Sequence, residues 1–198
     1  MEHFLEAGAY IDYHSACIQQ TAGELFSQAM TDEQKARTAY KFVRDEIPHS
    51  FDINAAVVTA KASDVLRHKT GICHAKANLL AALLRTQGIP AGFCFQHITL
   101  ADDERRGYCL HAYNAVFLGG KWIKIDARGN TGRIDAQFSL GEPKLAFVNR
   151  TKYKEYTYKG IFAEPDANTM ELLARSKTLL EMLVGLPDTL SISPLISE

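Results

Sequence analysis

The chain has 198 residues, 46% of them hydrophobic, and 22 Lys and Arg against 23 Asp and Glu give a net charge of -1 at neutral pH. That length and apolar content suit one domain with a real core and require no second one. The near balance of charge, with no long run of either sign, gives no electrostatic footprint for DNA, RNA or an anionic membrane.

The N-terminus, Met1 to Ala7, has acids where a secretory signal has bases, and no later segment reaches membrane-spanning length, so a cytoplasmic location is expected. Cys17, Cys73, Cys94 and Cys109 are then expected to stay reduced. In chain order, Tyr10–Tyr13 reads as a short strand, and about Ser15 to Met30 has helical spacing at Ile18, Ala22, Leu25, Phe26 and Ala29. Thr31, with Gln34 three places on, caps a second helix that ends before Pro48. His49 to Ala60 reads as irregular. Ser63 is expected to cap a short helix through Arg67.

A turn at Gly71 then opens a helix from about Cys73 to Thr86, stopped by Gly88 and Pro90. From Ala91 the texture becomes β: a strand to Leu100, a charged turn at Asp102 to Arg106, and a strand from Tyr108 to Leu118. Gly119-Gly120 signals a tight hairpin into Lys121–Asp126. Tyr153 to Phe162 is expected to contain a strand, and Ala167 to Val184 an amphipathic helix that covers the core or forms a dimer surface. Helices first and hairpin-linked strands after the central helix predict an α+β domain, with an antiparallel sheet packed on the Cys73 helix.

Three residues carry candidate chemistry. Unpaired N–H groups in the first turn of a helix favour the negative form of a sulfur placed there, and Cys73 holds that position. His111 lies on the next long strand, and Asp126 ends the strand paired with it by the hairpin. Adjacent strands lie about 5 Å apart, near enough for a carboxylate to hold an imidazole nitrogen. Nucleophile, base and base-orienting carboxylate thus follow in order. Taken singly, each has a plainer reading: an inert buried thiol, a hydrogen-bonded histidine at a sheet edge, a strand-end turn former. Cys94 and His97 with Cys109 and His111 also offer four metal-ligand atoms. Residues i and i+3 on a strand face opposite sides, however, and zinc-knuckle spacing is absent.

The pattern Gly71-Ile72-Cys73, Leu79 to Arg85 and Gly88-Ile89-Pro90-Ala91, followed by His111-Ala112-Tyr113-Asn114 and Trp122 to Asp126, resembles the transglutaminase-like superfamily. The match covers roughly Phe42 to Arg128. The resemblance implies a papain-like α+β core with Cys73 as nucleophile, His111 as base and Asp126 as third member of the triad, and it requires no metal or organic cofactor. Within a single domain spanning residues 1–198, the core would occupy about 42–130, with N-terminal helices at 14–47 and a C-terminal helix at about 167–184.

The chain departs from many relatives in carrying Tyr113 and Ala115 where they have Trp and Glu, and Ala127-Arg128 after the aspartate. Arg128 is a candidate for holding a substrate carboxylate, or else a surface ion pair. Lys76, one turn after Cys73, reads as a solvated lysine or as a cation lowering the Cys73 pKa. The expected activity is thioester-forming attack on an amide or peptide carbonyl, hydrolytic rather than cross-linking. The alternative is a non-catalytic binding module of the same fold. Candidates for oxyanion donors are the Cys73 N–H and a group from His49 to Asp52, and the oligomeric state stays open.

Overall fold

The Ala- and Leu-rich run forms a helix spanning Cys73–Arg85, in which every residue after Cys73 is buried. A helix with no solvent-facing side must be enclosed, and the rest of the chain does this with helices on one side and a sheet on the other. The structure, a computed structural model, describes residues 1–100 and 104–196. The main elements are α1 (Ala16–Leu25), α2 (Asp32–Lys41) leading into a π-helical turn (Phe42–Glu46), α3 (Ala62–His68), α4 (Cys73–Arg85), β1 (Ala91–Thr99), β2 (Tyr108–Leu118), β3 (Lys121–Ile125), β4 (Tyr156–Thr157), α5 (Ala167–Arg175) and α6 (Leu179–Gly185). The strands form one sheet in the order β3-β2-β1-β4, every neighbouring pair antiparallel. This is the expected α+β class. The Asp102 end of the expected charged turn lies outside the described residues, and Glu104–Arg106 forms a 3-10 turn.

Local chemistry explains the elements that frame the site. Thr31 Oγ1 accepts from the Gln34 N–H and Gln34 Oε1 accepts from the Thr31 N–H, completing the expected capping box, worth about 1 kcal/mol. Gly119 and Gly120 take φ of 57° and 83°, the left-handed pair that a two-residue hairpin needs to join β2 to β3. Gly71 allows the chain to enter α4 at close quarters: a Cβ there would lie 3.2 Å from both Ala75 Cβ and Thr59 Oγ1.

Four expectations are corrected. Tyr10–Tyr13 is not a strand, because its polar groups dock on α3: the Tyr10 carbonyl accepts from the Ala62 N–H, and the Asp12 carboxylate accepts from the Ser63 N–H and hydroxyl. Ser63 is therefore inside α3 rather than its cap, and Asp12 satisfies that N-terminus from 51 residues away. The helix expected over 167–184 is two helices. Ser176 leaves the helical region (φ -72°, ψ 130°) with its hydroxyl on the Leu172 carbonyl, and Thr178 caps a new start by accepting from the Glu181 N–H. α1 likewise stops at Leu25, before Met30, where Phe26 turns extended.

Unequal strand lengths create the site. β3 pairs with β2 only from Asn114 to Leu118, so the β2 edge beyond Asn114 is vacant and its N–H and C=O groups need other partners. The N-terminus of α4 fills that place: His74 Nε2 donates to the Leu110 carbonyl at 3.0 Å. The tail after α6 takes another group, the Pro187 carbonyl accepting from the Leu110 N–H at 3.0 Å.

Candidate active site

Cys73 is the first residue of α4, with Ile72 at the cap position and no side chain capping the N–H groups of that turn. Its thiol is half-buried, and the His111 ring and the Ala112 N–H on the vacant edge of β2 act on it to favour its ionised form. His111 Nε2 lies 2.8 Å from Asp126 Oδ2, both side chains being 2% exposed or less. That bond commits Nε2 and leaves Nδ1 for the sulfur. The register explains the contact: Asn114 pairs with Ile125, so Asp126 falls beside Tyr113, and His111 sits on the diagonal, two residues along the same face.

Asp126 is held from three directions. Oδ2 also accepts from the Ala146 N–H at 2.9 Å, and Oδ1 accepts from the Arg128 N–H at 3.0 Å. Burial opposes ionisation of this carboxyl, but the His111 charge and these hydrogen bonds outweigh it and hold its pKa below 3.8. Burial likewise disfavours a charged His111, yet Asp126 on one side and Cys73 on the other raise it from 6.5 to about 10. Burial pushes the Cys73 thiol up, and the His111 charge and hydrogen bond, with the Ala112 N–H, bring it net below 9.0. The three groups form one coupled system, in which the His111 charge favours the ionised forms of Cys73 and Asp126. Cys109, which also lines the cleft, has no such partner among the described residues, and burial drives its thiol to about 12.

The cleft over Cys73 has a volume of about 370 Å³ and is walled by His49, Phe51, Ile98, Leu110, Phe147 and Leu183, among others. His49 is buried, and its main chain bridges to Gly71. Burial, then the nearby Arg128 and Lys76 cations, push its imidazole well below 6.5, so it is neutral. Its Nδ1 has no hydrogen-bond partner among the described residues.

Arg128 stands in the cleft wall, where Nη1 and Nη2 hold the two Asp52 oxygens at 2.5 and 2.9 Å. Its fork is thus taken by the chain itself. Lys76 is not the solvated lysine expected. It is 1% exposed, with Nζ donating to the Ile47 and Arg128 carbonyls, and burial lowers it to about 7.

The four metal-ligand candidates do not converge. His97 stacks between Tyr108 and Tyr156, Nδ1 on the Asp188 carbonyl, while Cys94 Sγ lies 3.9 Å from the Gly160 carbonyl. Among the described residues no three His, Cys, Asp or Glu side chains gather as a metal site. No helix among them is long and apolar enough to cross a membrane.

The family model described as the transglutaminase-like superfamily matches residues 19–127, more than half of the chain. The chain belongs to the transglutaminase-like superfamily. Within this family of thiol enzymes, the chain is similar to the kyphoscoliosis peptidases of Mus musculus and Homo sapiens, 25% and 26% identical over 180 residues. Each alignment covers 82% of this chain and 25% of the relative, so the chain spans about a quarter of the length of the curated relatives it matches. A solved structure of a proposed cysteine protease from Cytophaga hutchinsonii shares the transglutaminase-like fold. Its TM-score is 0.51 at 22% identity, over 63% of this chain and 40% of that one.

Proposed function

We propose that this transglutaminase-like domain is a thiol hydrolase of amide or peptide bonds, with Cys73 as nucleophile, His111 as proton carrier and Asp126 orienting His111. The observation that carries the reading is that the Asp126 carboxylate holds His111 through Nε2 at 2.8 Å, while the charge of the same ring lowers the Cys73 thiol pKa. That geometry supplies a thiolate near neutral pH together with the proton its leaving group needs.

In the first half-reaction the Cys73 sulfur bonds to the carbonyl carbon and the carbonyl electron pair moves to oxygen. Collapse breaks the C–N bond, and the amine leaves with the proton from His111 Nδ1. In the second, His111 takes a proton from water as the water oxygen attacks the thioester. The C–S bond then breaks, releasing the acid and restoring the thiolate. The oxyanion is met by the Cys73 N–H at the start of α4, and neutral His49 supplies the second donor from the facing wall.

Hydrolysis is favoured over amine transfer because Cys73 is partly exposed in the cleft, so water reaches the thioester, and because the similar proteins carry peptidase and cysteine protease names. Arg128 acts here by holding Asp52, and with it the segment after His49, against the cleft. The test is a peptide library scored by mass with and without an added primary amine. Cleavage products gaining one water, unchanged by the amine, are expected. Dominant amine incorporation would make the enzyme a transferase, and absence of any Cys73-dependent product would favour a binding module.

A further inference from the structure

Part of the cleft wall lies outside the residues matched by the family model. Leu183 of α6 and Leu186 just beyond it line the cavity, whereas the family match ends at residue 127. They are pinned there by the tail, the Pro187 carbonyl accepting from the Leu110 N–H and the Asp188 carbonyl bonding His97 Nδ1. With Phe51, Ile98, Leu100 and Phe147 they form the apolar part of the cleft, whose whole volume is about 370 Å³, room for a large side chain beside the peptide that bears it.

The charged groups of the lining, and Thr99, are already engaged. Thr99 Oγ1 donates to Glu155 Oε1 at 2.8 Å and accepts from Arg150 Nη2 at 2.6 Å. Arg128 is committed to Asp52 through both terminal nitrogens, and His49 is held neutral. A charged side chain entering here would lose its water and find the lining charges already paired, Arg128 with Asp52 and His111 with Asp126. An aliphatic or aromatic one would exchange water for apolar contact. The apolar surface also continues out of the cleft: Leu180 and Val184, one helical turn apart beside Leu183, are 69% and 82% exposed.

We propose that the cleft selects a peptide with a large, uncharged aliphatic or aromatic side chain within one residue of the attacked carbonyl, and that α6 with Leu186 is the selecting wall. This rests on the acyl-transfer role of Cys73.

The test uses the full chain and two series of blocked dipeptidyl chloromethyl ketones, with Leu, Phe, Gly, Gln, Glu or Lys at the first or the second position. In this reaction the Cys73 sulfur bonds to the methylene carbon as chloride leaves, so labelling reads side-chain fit without requiring turnover. At one of the two positions Leu or Phe should label Cys73 at least about tenfold faster than Gly, Gln, Glu or Lys. Leu183→Asp should collapse that ratio towards one, and Leu186→Asp carries the same expectation should the first variant melt early. A flat series, or preference for Gln or a charged side chain, would overturn the proposal. Equal discrimination in folded wild type and variant would remove α6 from it. Failure of the wider reading looks different: Cys73 would then react no faster than an ordinary thiol with any reagent, iodoacetamide included.

Discussion

Lys76 Nζ lies 2.8 Å from the Arg128 carbonyl and also donates to the Ile47 carbonyl, so one buried amine ties the helix that begins at Cys73 to the loop after Asp126 and to the segment before His49. Those are the loops that bring the carboxylate and the opposite cleft wall to the sulfur. Lys76→Met leaves the buried Ile47 carbonyl and the part-buried Arg128 carbonyl without this donor, and urea unfolding should show a loss of about 2 kcal/mol or more. An unchanged midpoint would mean the amine is not part of the scaffold.

Asp126→Asn keeps the shape of the side chain but removes the charge that sustains the His111 proton. On peptide substrates, kcat/KM should fall by about 10²–10⁴-fold, carried mainly by kcat. A loss confined to KM would reassign Asp126 to substrate binding.

The same pair sets a pH signature for stability. The Asp126 pKa lies below 3.8 in the folded chain, so its contribution is complete above that value and is lost as pH falls through the folded pKa. His111 is raised from 6.5 to about 10, so its contribution is complete below 6.5 and is lost as pH rises to about 10. The stability gap between wild type and Asp126→Asn should therefore be widest between about pH 4 and 6.5 and narrow towards pH 10. Urea midpoints across that range check it, and a gap growing with pH would contradict the assigned ion pair.

His49 faces the cleft as a neutral ring. If it donates to the oxyanion, His49→Ala should lower kcat by about 10²–10³-fold with little change in KM. His49→Gln, which restores an N–H donor, should recover part of the loss. Equal defects in both variants would point to packing instead.

Much of this arrangement can be read from the sequence where local signals are strong. The capping box at Thr31, the Gly119-Gly120 hairpin and the apolar run after Cys73 each follow from short-range chemistry, and together they predict which strands lie beside the central helix. Lys76 is different, because a lysine at i+3 looks solvated until one knows that the loops at Ile47 and Arg128 close over it. Asp12 is likewise invisible as a cap, its helix start lying 51 residues away. The break at Ser176 fails for a third reason. Apolar spacing runs through it, and only the hydroxyl turning back to Leu172 and the fresh cap at Thr178 end one helix and start another. The sequence points to the stretch from His49 to Asp52 as a source of an oxyanion donor but singles out no residue in it, and the place of His49 opposite Cys73 comes from its bridge to Gly71.

The most direct measurement is the rate of iodoacetamide alkylation at Cys73 across pH, located by peptide mapping, in wild type and in His111→Ala. Because the neighbouring imidazolium holds the thiol down, the wild-type rate should rise through a midpoint well below the ordinary thiol value of about 8.5, and His111→Ala should move that midpoint to about 8.5 or higher. A wild-type midpoint at or above the ordinary value, unmoved by the substitution, would contradict the assignment of Cys73 and His111 as a working pair.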